Sequence, residues 1–135
     1  YCGNELADSA NHNMFANRFH MGKYETTDRR GLEKLEYSIR RQEIMKRLNA
    51  LKLESDILCY GCTVWTDNST PEKVLSFSRE YGGKKIVFIG NISNETALVT
   101  IGEGLTGTEL LSNGVKTLTA DSIELKPRGY IALEK

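Results

Sequence analysis

From residue 57 to the C-terminus the chain is written as short apolar or alternating stretches broken by turn residues. This is the feature that most limits what it can fold into. The stretches fall at 57–66, 73–80, 85–90, 96–101, 108–112, 115–119 and 129–134, with a further short one at 122–125. Between them lie Asp67-Asn68 to Pro71, Gly82-Gly83, Asn91 to Glu95, Gly102 to Gly104, Asn113-Gly114 and Pro127-Arg128-Gly129. Period-two alternation places one set of side chains on a core and the other on the opposite face. Asn-Gly is the strongest two-residue hairpin signal, because a type I′ turn needs positive φ at both central positions. Closely spaced short strands of this kind predict an antiparallel Greek-key β-sandwich of about seven or eight strands. Residues 85–89 are apolar on both faces and are expected to be a central strand.

Upstream of Glu54 the period changes. Leu32, Leu35, Ile39, Ile44, Leu48 and Leu51 recur at helical spacing, with Tyr37 on the same broad side. They predict one long amphipathic helix over 30–52, capped by Thr27 or Asp28. Glu36 to Arg40 and Glu43 to Arg47 are i,i+4 pairs in the favourable order. The expected fold class is therefore mostly β with an N-terminal helical segment, dividing into residues 1–53 and 54–135.

Eighteen basic residues balance eighteen acidic ones. A neutral chain does not suit nucleic acid or an anionic membrane surface as its main partner, since both favour a clear basic excess. Arg40, Arg41, Lys46 and Arg47 form a basic stripe on the helix, but interleaved acids mark it as a solvated face. The longest apolar run, Ile86 to Ile89, has four residues against the roughly 20 a membrane helix needs.

Three cysteines are too few for a disulfide scaffold. Cys59-Tyr-Gly-Cys62 has redox or zinc spacing, and Cys2 with His12 or His20 would complete a Cys₃His set. However, the motif falls in a β-type stretch with no second CxxC, so neither metal nor cofactor is expected. Asn68, Asn91 and Asn94 each begin an Asn-x-Ser/Thr triplet. With nine asparagines in the chain, such triplets arise by chance and do not establish secretion.

Residues 1–26 have no clear period and crowd Asn4, Asn11, His12, Asn13, Asn17, Arg18 and His20 together. This suits either a solvated loop or one that contacts a polar partner.

The order of these segments resembles the end of an α-amylase-type glycoside hydrolase, in which a catalytic (β/α)₈ barrel precedes a C-terminal all-β domain. Tyr1-Cys2-Gly3-Asn4-Glu5 is similar to the "Tyr-x-Gly-x-Glu" closing the last barrel strand. The segment from Leu35 through Ile39-Arg40-Arg41 to Leu58 is similar to the final barrel helix, "L-x-x-L-R-x", and the "P-A-L-x-x-G" after it. Val74-Leu75-Ser76-Phe77-Ser78-Arg79 and Ile86 to Ser93 match "V-x-A-F-x-R" and "x-V-V-x-N-x-S", the opening strands of the β-domain. Leu125-Lys126-Pro127-Arg128-Gly129 resembles its closing "L-x-P-x-G" turn. Glu54-Ser55-Asp56 departs from the family where a proline is usual, and Cys2 departs where Tyr or Asn is usual.

The resemblance implies that the nucleophile, the general acid and the third carboxylate of glycoside hydrolysis all lie upstream of Tyr1, so no catalytic residue is expected in this chain. It implies that Glu5, with the polar loop residues Asn11, His12 and Arg18, lies near substrate in the parent enzyme. The chain is then expected to be a non-catalytic C-terminal fragment whose partner is the barrel. The alternative is a self-contained carbohydrate-binding module for an α-glucan, with Trp65, the sole tryptophan, as the stacking residue. If the helix face bearing Leu32, Leu35, Ile39, Leu48 and Leu51 is uncovered, homodimerisation through it is expected. Tyr1 to Leu6 would then lack its parallel strand partners.

Overall fold

The computed structural model describes residues 36–135 of the 135-residue chain. The expected barrel-end strand at Tyr1 to Leu6 and the helix start at 30–35 lie outside the described residues. The chain divides into two compact units, one ending at Glu54 and one spanning Ser55–Lys135.

In the first unit, helix α1 runs Glu36–Glu54, two residues beyond the expected end at 52. Tyr37, Ile39, Ile44, Met45 and Leu48 remain exposed on it, and Leu51 is half-buried.

The second unit opens with a correction. The stretch 57–66 is not one strand: Asp56–Tyr60 forms a short helix, α2, and only Cys62–Trp65 is strand β1. Ser55 decides this. Its carbonyl accepts from the N–H of Leu58 and Cys59 at 3.1 and 3.0 Å, and its side chain takes the N-cap role toward Leu58. A serine cap followed by Asp56 satisfies the orphan donors of a helical turn, which outweighs the β preference of the apolar residues behind it. Gly61 ends the turn where a Cβ would lie 2.3 Å from the Ile57 carbonyl oxygen.

The remaining strands are β2 (Val74–Tyr81), β3 (Lys84–Asn91), β4 (Ala97–Thr100), β5 (Thr108–Leu118) and β6 (Ser122–Glu134). All six pair antiparallel in a single sheet of order β1-β2-β3-β6-β4, with β5 also on β6. The sheet curls because β6 serves two neighbours in turn: its first half pairs β4 and its second half pairs β3, while β5 runs along its other side. The curl brings the loop after β1 to the end of β4, where Asn68 bridges Ile101 and Ser69 N–H donates to the Thr100 carbonyl at 3.2 Å. The architecture is thus one curled six-stranded sheet, and the expected Greek-key pair of sheets is not resolved as such. Residues 85–89 do form part of the central strand β3.

Two expected boundaries are absent. Asn113-Gly114 does not turn a hairpin, and 108–112 and 115–119 belong to the one strand β5. Likewise 122–125 and 129–134 are halves of β6. Where β5 and β6 run side by side, the register slips near Asn113 and Val115, Gly114 takes φ 66° and Arg128 takes φ 59°. These are bulges that bend a continuous pair. The chain reverses instead at Thr119–Asp121, where Thr119 N–H donates to the Ser122 carbonyl at 2.9 Å and Thr119 Oγ1 accepts from Ser122 N–H at 3.0 Å. The two-residue turn with positive φ at both positions is Gly82-Gly83, at 59° and 77°, joining Tyr81 to its partner Lys84.

Alternation fills the core. Val74 on β2, Val87 and Ile89 on β3, Val99 on β4, and Ile123, Leu125, Ile131 and Leu133 on β6 are buried together with Ala97, Ile101 and Leu105. Full burial of each such aliphatic side chain contributes about 1.5–3 kcal/mol.

Candidate interaction face

The same alternation places a second set of side chains on the face opposite the core. Trp65 pairs with Phe77 across β1 and β2, and Phe77 with Phe88 across β2 and β3. Tyr130 on β6 pairs with Gly90, diagonal to Phe88. Ring centroids follow at 5.6, 5.1 and 6.3 Å, giving a continuous aromatic row over four strands. Gly90 fits beneath it, since a Cβ there would lie 2.9 Å from Phe88 Cε1.

The rings differ in how they meet their neighbours. Phe77 and Phe88 are inclined by only 29°, and Phe88 and Tyr130 by 22°, so the three rings lie nearly parallel. Phe77, Phe88 and Tyr130 are each half-buried, so part of every ring stays at the surface. Trp65 differs: it meets Phe77 edge to face at 70° and is 69% exposed. It is neither a core residue nor one of several coplanar platforms.

One end of this face is covered. Helix α2 packs on β2 and β3. Ile57 of α2 and Ile86, an outer-face neighbour of Phe88, are buried there without belonging to the main core. Arg79 fastens the arrangement, donating through Nη2 to the Leu58 carbonyl at 3.3 Å and through Nη1 to Thr63 Oγ1 at 3.1 Å. Tyr60 at the end of α2 and Tyr81 at the end of β2 form a separate ring pair, 5.7 Å apart. Cys59 and Cys62 are exposed and form no disulfide, with Cys59 in α2 rather than in a strand. Among the described residues no group of three metal-ligating side chains occurs.

At the opposite end of β2 and β3, Asn91 ties the β3–β4 loop to β6. Its Nδ2 donates to the carbonyls of Glu95 at 2.7 Å, Lys126 at 3.0 Å and Leu125 at 3.4 Å, and its Oδ1 accepts from Ser93 N–H. Lys73 and Glu95 pair across the same loop at 2.7 Å. The hydrogen bond and charge of Lys73 hold the Glu95 carboxyl below its ordinary value, and Glu95 in turn raises Lys73. Beside α2, Lys85 sits between Glu103 and Glu80. Its ammonium is held above the usual lysine value, chiefly by its hydrogen bond to Glu103. Glu80 is lowered by hydrogen bonds from Ser78 and then Lys85.

Glu5, Asn11, His12 and Arg18, the residues expected near substrate, lie outside the described residues. Trp65 is the only expected site residue the structure places, and the row it heads was not anticipated. The signal was present in the alternation of Phe77 and Phe88 with buried neighbours, which becomes a row only when the register is known. Among the described residues no helix is long and apolar enough to cross a membrane.

No known family model matches the sequence, and no curated protein sequence does. Solved structures do match. A variant of the trehalulose synthase MutB with glucose bound is 18% identical with a TM-score of 0.61, over 70% of this chain and 18% of that one. An inactive MutB double mutant is 21% identical with a TM-score of 0.58, over 78% of this chain and 19% of that one. An isomaltulose synthase variant from Erwinia rhapontici, with D-glucose, is 19% identical with a TM-score of 0.56, over 66% of this chain and 16% of that one. These are α-amylase-family enzymes, and the chain has the fold of one part of them. It spans less than a fifth of their length. The resemblance to the C-terminal part of an α-amylase-type glycoside hydrolase therefore holds at the level of fold.

Proposed function

We propose that this chain is the C-terminal part of a larger α-amylase-type enzyme acting on α-glucans, and that Ser55–Lys135 is its non-catalytic β-domain, packing against and stabilising the catalytic barrel. The observation that carries this reading is the aromatic row Trp65-Phe77-Phe88-Tyr130, a partly exposed apolar surface on the face opposite the core. The short span relative to the enzymes of matching fold supports it. Exposed Ile39, Ile44 and Leu48 on α1 give the separated chain a second apolar surface, through which it self-associates when no barrel is present.

One observation favours a second reading: the exposure of Trp65 suits a carbohydrate-binding module. Titration of the chain with maltoheptaose, followed by Trp65 emission, separates the two. The packing role predicts no saturable change. A saturable shift that disappears in Trp65→Ala would replace it with glycan binding.

A further inference from the structure

Of the three Asn-x-Ser/Thr triplets, the fold ties the amide nitrogens of two asparagines internally and leaves that of the third turned outward. Asn91 is 3% exposed and spends both amide hydrogens on three carbonyls. Asn68 is half-buried, and its Nδ2 donates to the Val74 carbonyl at 3.1 Å and Ser76 Oγ at 2.8 Å. An amide nitrogen carrying a glycan keeps one hydrogen and must reach solvent, so neither position can carry one in the folded chain.

Asn94 is exposed in the loop between β3 and β4. Its Oδ1 accepts from Arg128 Nε at 3.2 Å and Nη2 at 2.9 Å. A guanidinium has only donors, so this contact fixes which way the amide points and leaves Nδ2 as the outward atom. Among the described residues, that Nδ2 donates to no protein atom. The third residue of the triplet, Thr96, is also exposed. The loop follows Asn91, the partner of Val74, whereas α2 lies toward the Gly82-Gly83 turn at the other end of β2 and β3. A substituent on Asn94 would clear α2.

We propose that Asn94 is an N-glycan acceptor, the one triplet of the three that the folded protein can carry in modified form. The donor is a lipid-linked oligosaccharide diphosphate. A bond forms between Asn94 Nδ2 and the anomeric carbon, the bond from that carbon to the diphosphate oxygen breaks, and one amide proton passes to a base of the transferring enzyme. Transfer to the emerging chain can reach all three triplets, and folding then excludes chains modified at Asn68 or Asn91.

The test is to secrete the full chain from yeast behind a signal peptide, then map sites by peptide mass after amidase release of glycan in ¹⁸O-labelled water. Cooperative unfolding confirms that the secreted material is folded. The expected result is a single glycan on Asn94, lost completely in Asn94→Gln and in Thr96→Ala and kept in Asn68→Gln. Folded secreted chain with a glycan at Asn68 or Asn91, or with none at Asn94, overturns the proposal.

Discussion

Gly129 on β6 lies against Gly114 on β5 so closely that a Cβ on Gly129 would stand 2.9 Å from the Gly114 carbonyl oxygen. The Lys126 carbonyl oxygen would be equally near, at 2.9 Å. This contact sits where the register between the two long strands slips, near Asn113 and Val115. Gly129→Ala should destabilise the β-domain by about 1–3 kcal/mol, because the obstruction is backbone and cannot swing aside. Gly102→Ala is the control: nothing lies within 4 Å of its Cβ and its φ is not in the left-handed region. It should be neutral or stabilising by about 0.4–1 kcal/mol. Urea unfolding of both variants gives the comparison.

Asn91 is the second point of failure. Asn91→Leu removes the donor facing Leu125, Lys126 and Glu95, leaving carbonyls at the core edge without their partner. A loss of about 1–3 kcal/mol is expected. Asn94→Ala, a few residues away but exposed, should change stability by less than about 0.5 kcal/mol. Equal losses in the two variants would show that the Asn91 ties carry no stability.

The ion pairs make a prediction about pH. Glu80 and Glu95 have folded values below their unfolded ones, so their contribution is present above the ordinary carboxylate value and is lost as pH falls through the folded values. Lys73 and Lys85 are raised, so theirs is present below the ordinary lysine value and is lost as pH rises through the raised values. The urea midpoint should therefore fall on acidification from about pH 7 to about pH 3, and less steeply in Lys85→Met. The Ser78 bond to Glu80 persists in that variant, so the slope should shrink without vanishing. An unchanged slope would remove Lys85 from the account.

Alternation made most of the β-domain legible in the sequence. The stretches 73–80, 85–90 and 129–134 read as strands, and 85–89 as a central one apolar on both faces, which β2, β3 and β6 match. What the sequence hid was competition between local signals and long-range pairing. Asn113-Gly114 and Gly82-Gly83 are both strong turn dipeptides, yet only the second turns a hairpin. The residues around Asn113 instead extend a ladder with β6, and the positive φ of Gly114 is absorbed as a bulge. Pro127-Arg128-Gly129 was likewise punctuation inside a strand. At Ser55 the error ran the other way, because a local cap outweighed apolar β-type residues. The candidate face was half legible: Trp65 was visible as a lone tryptophan, but the row needs a register that no single strand encodes.

The most direct test of the proposed packing role uses the larger α-amylase-type enzyme proposed to carry Ser55–Lys135, comparing Trp65→Ala and Phe88→Ala with wild type. Thermal unfolding and the kinetics of α-glucan hydrolysis are measured on the same preparations. Loss of an apolar interface predicts a Tm lower by several degrees in both variants, with KM unchanged. A raised KM at unchanged Tm would contradict the account and make the row a glycan site.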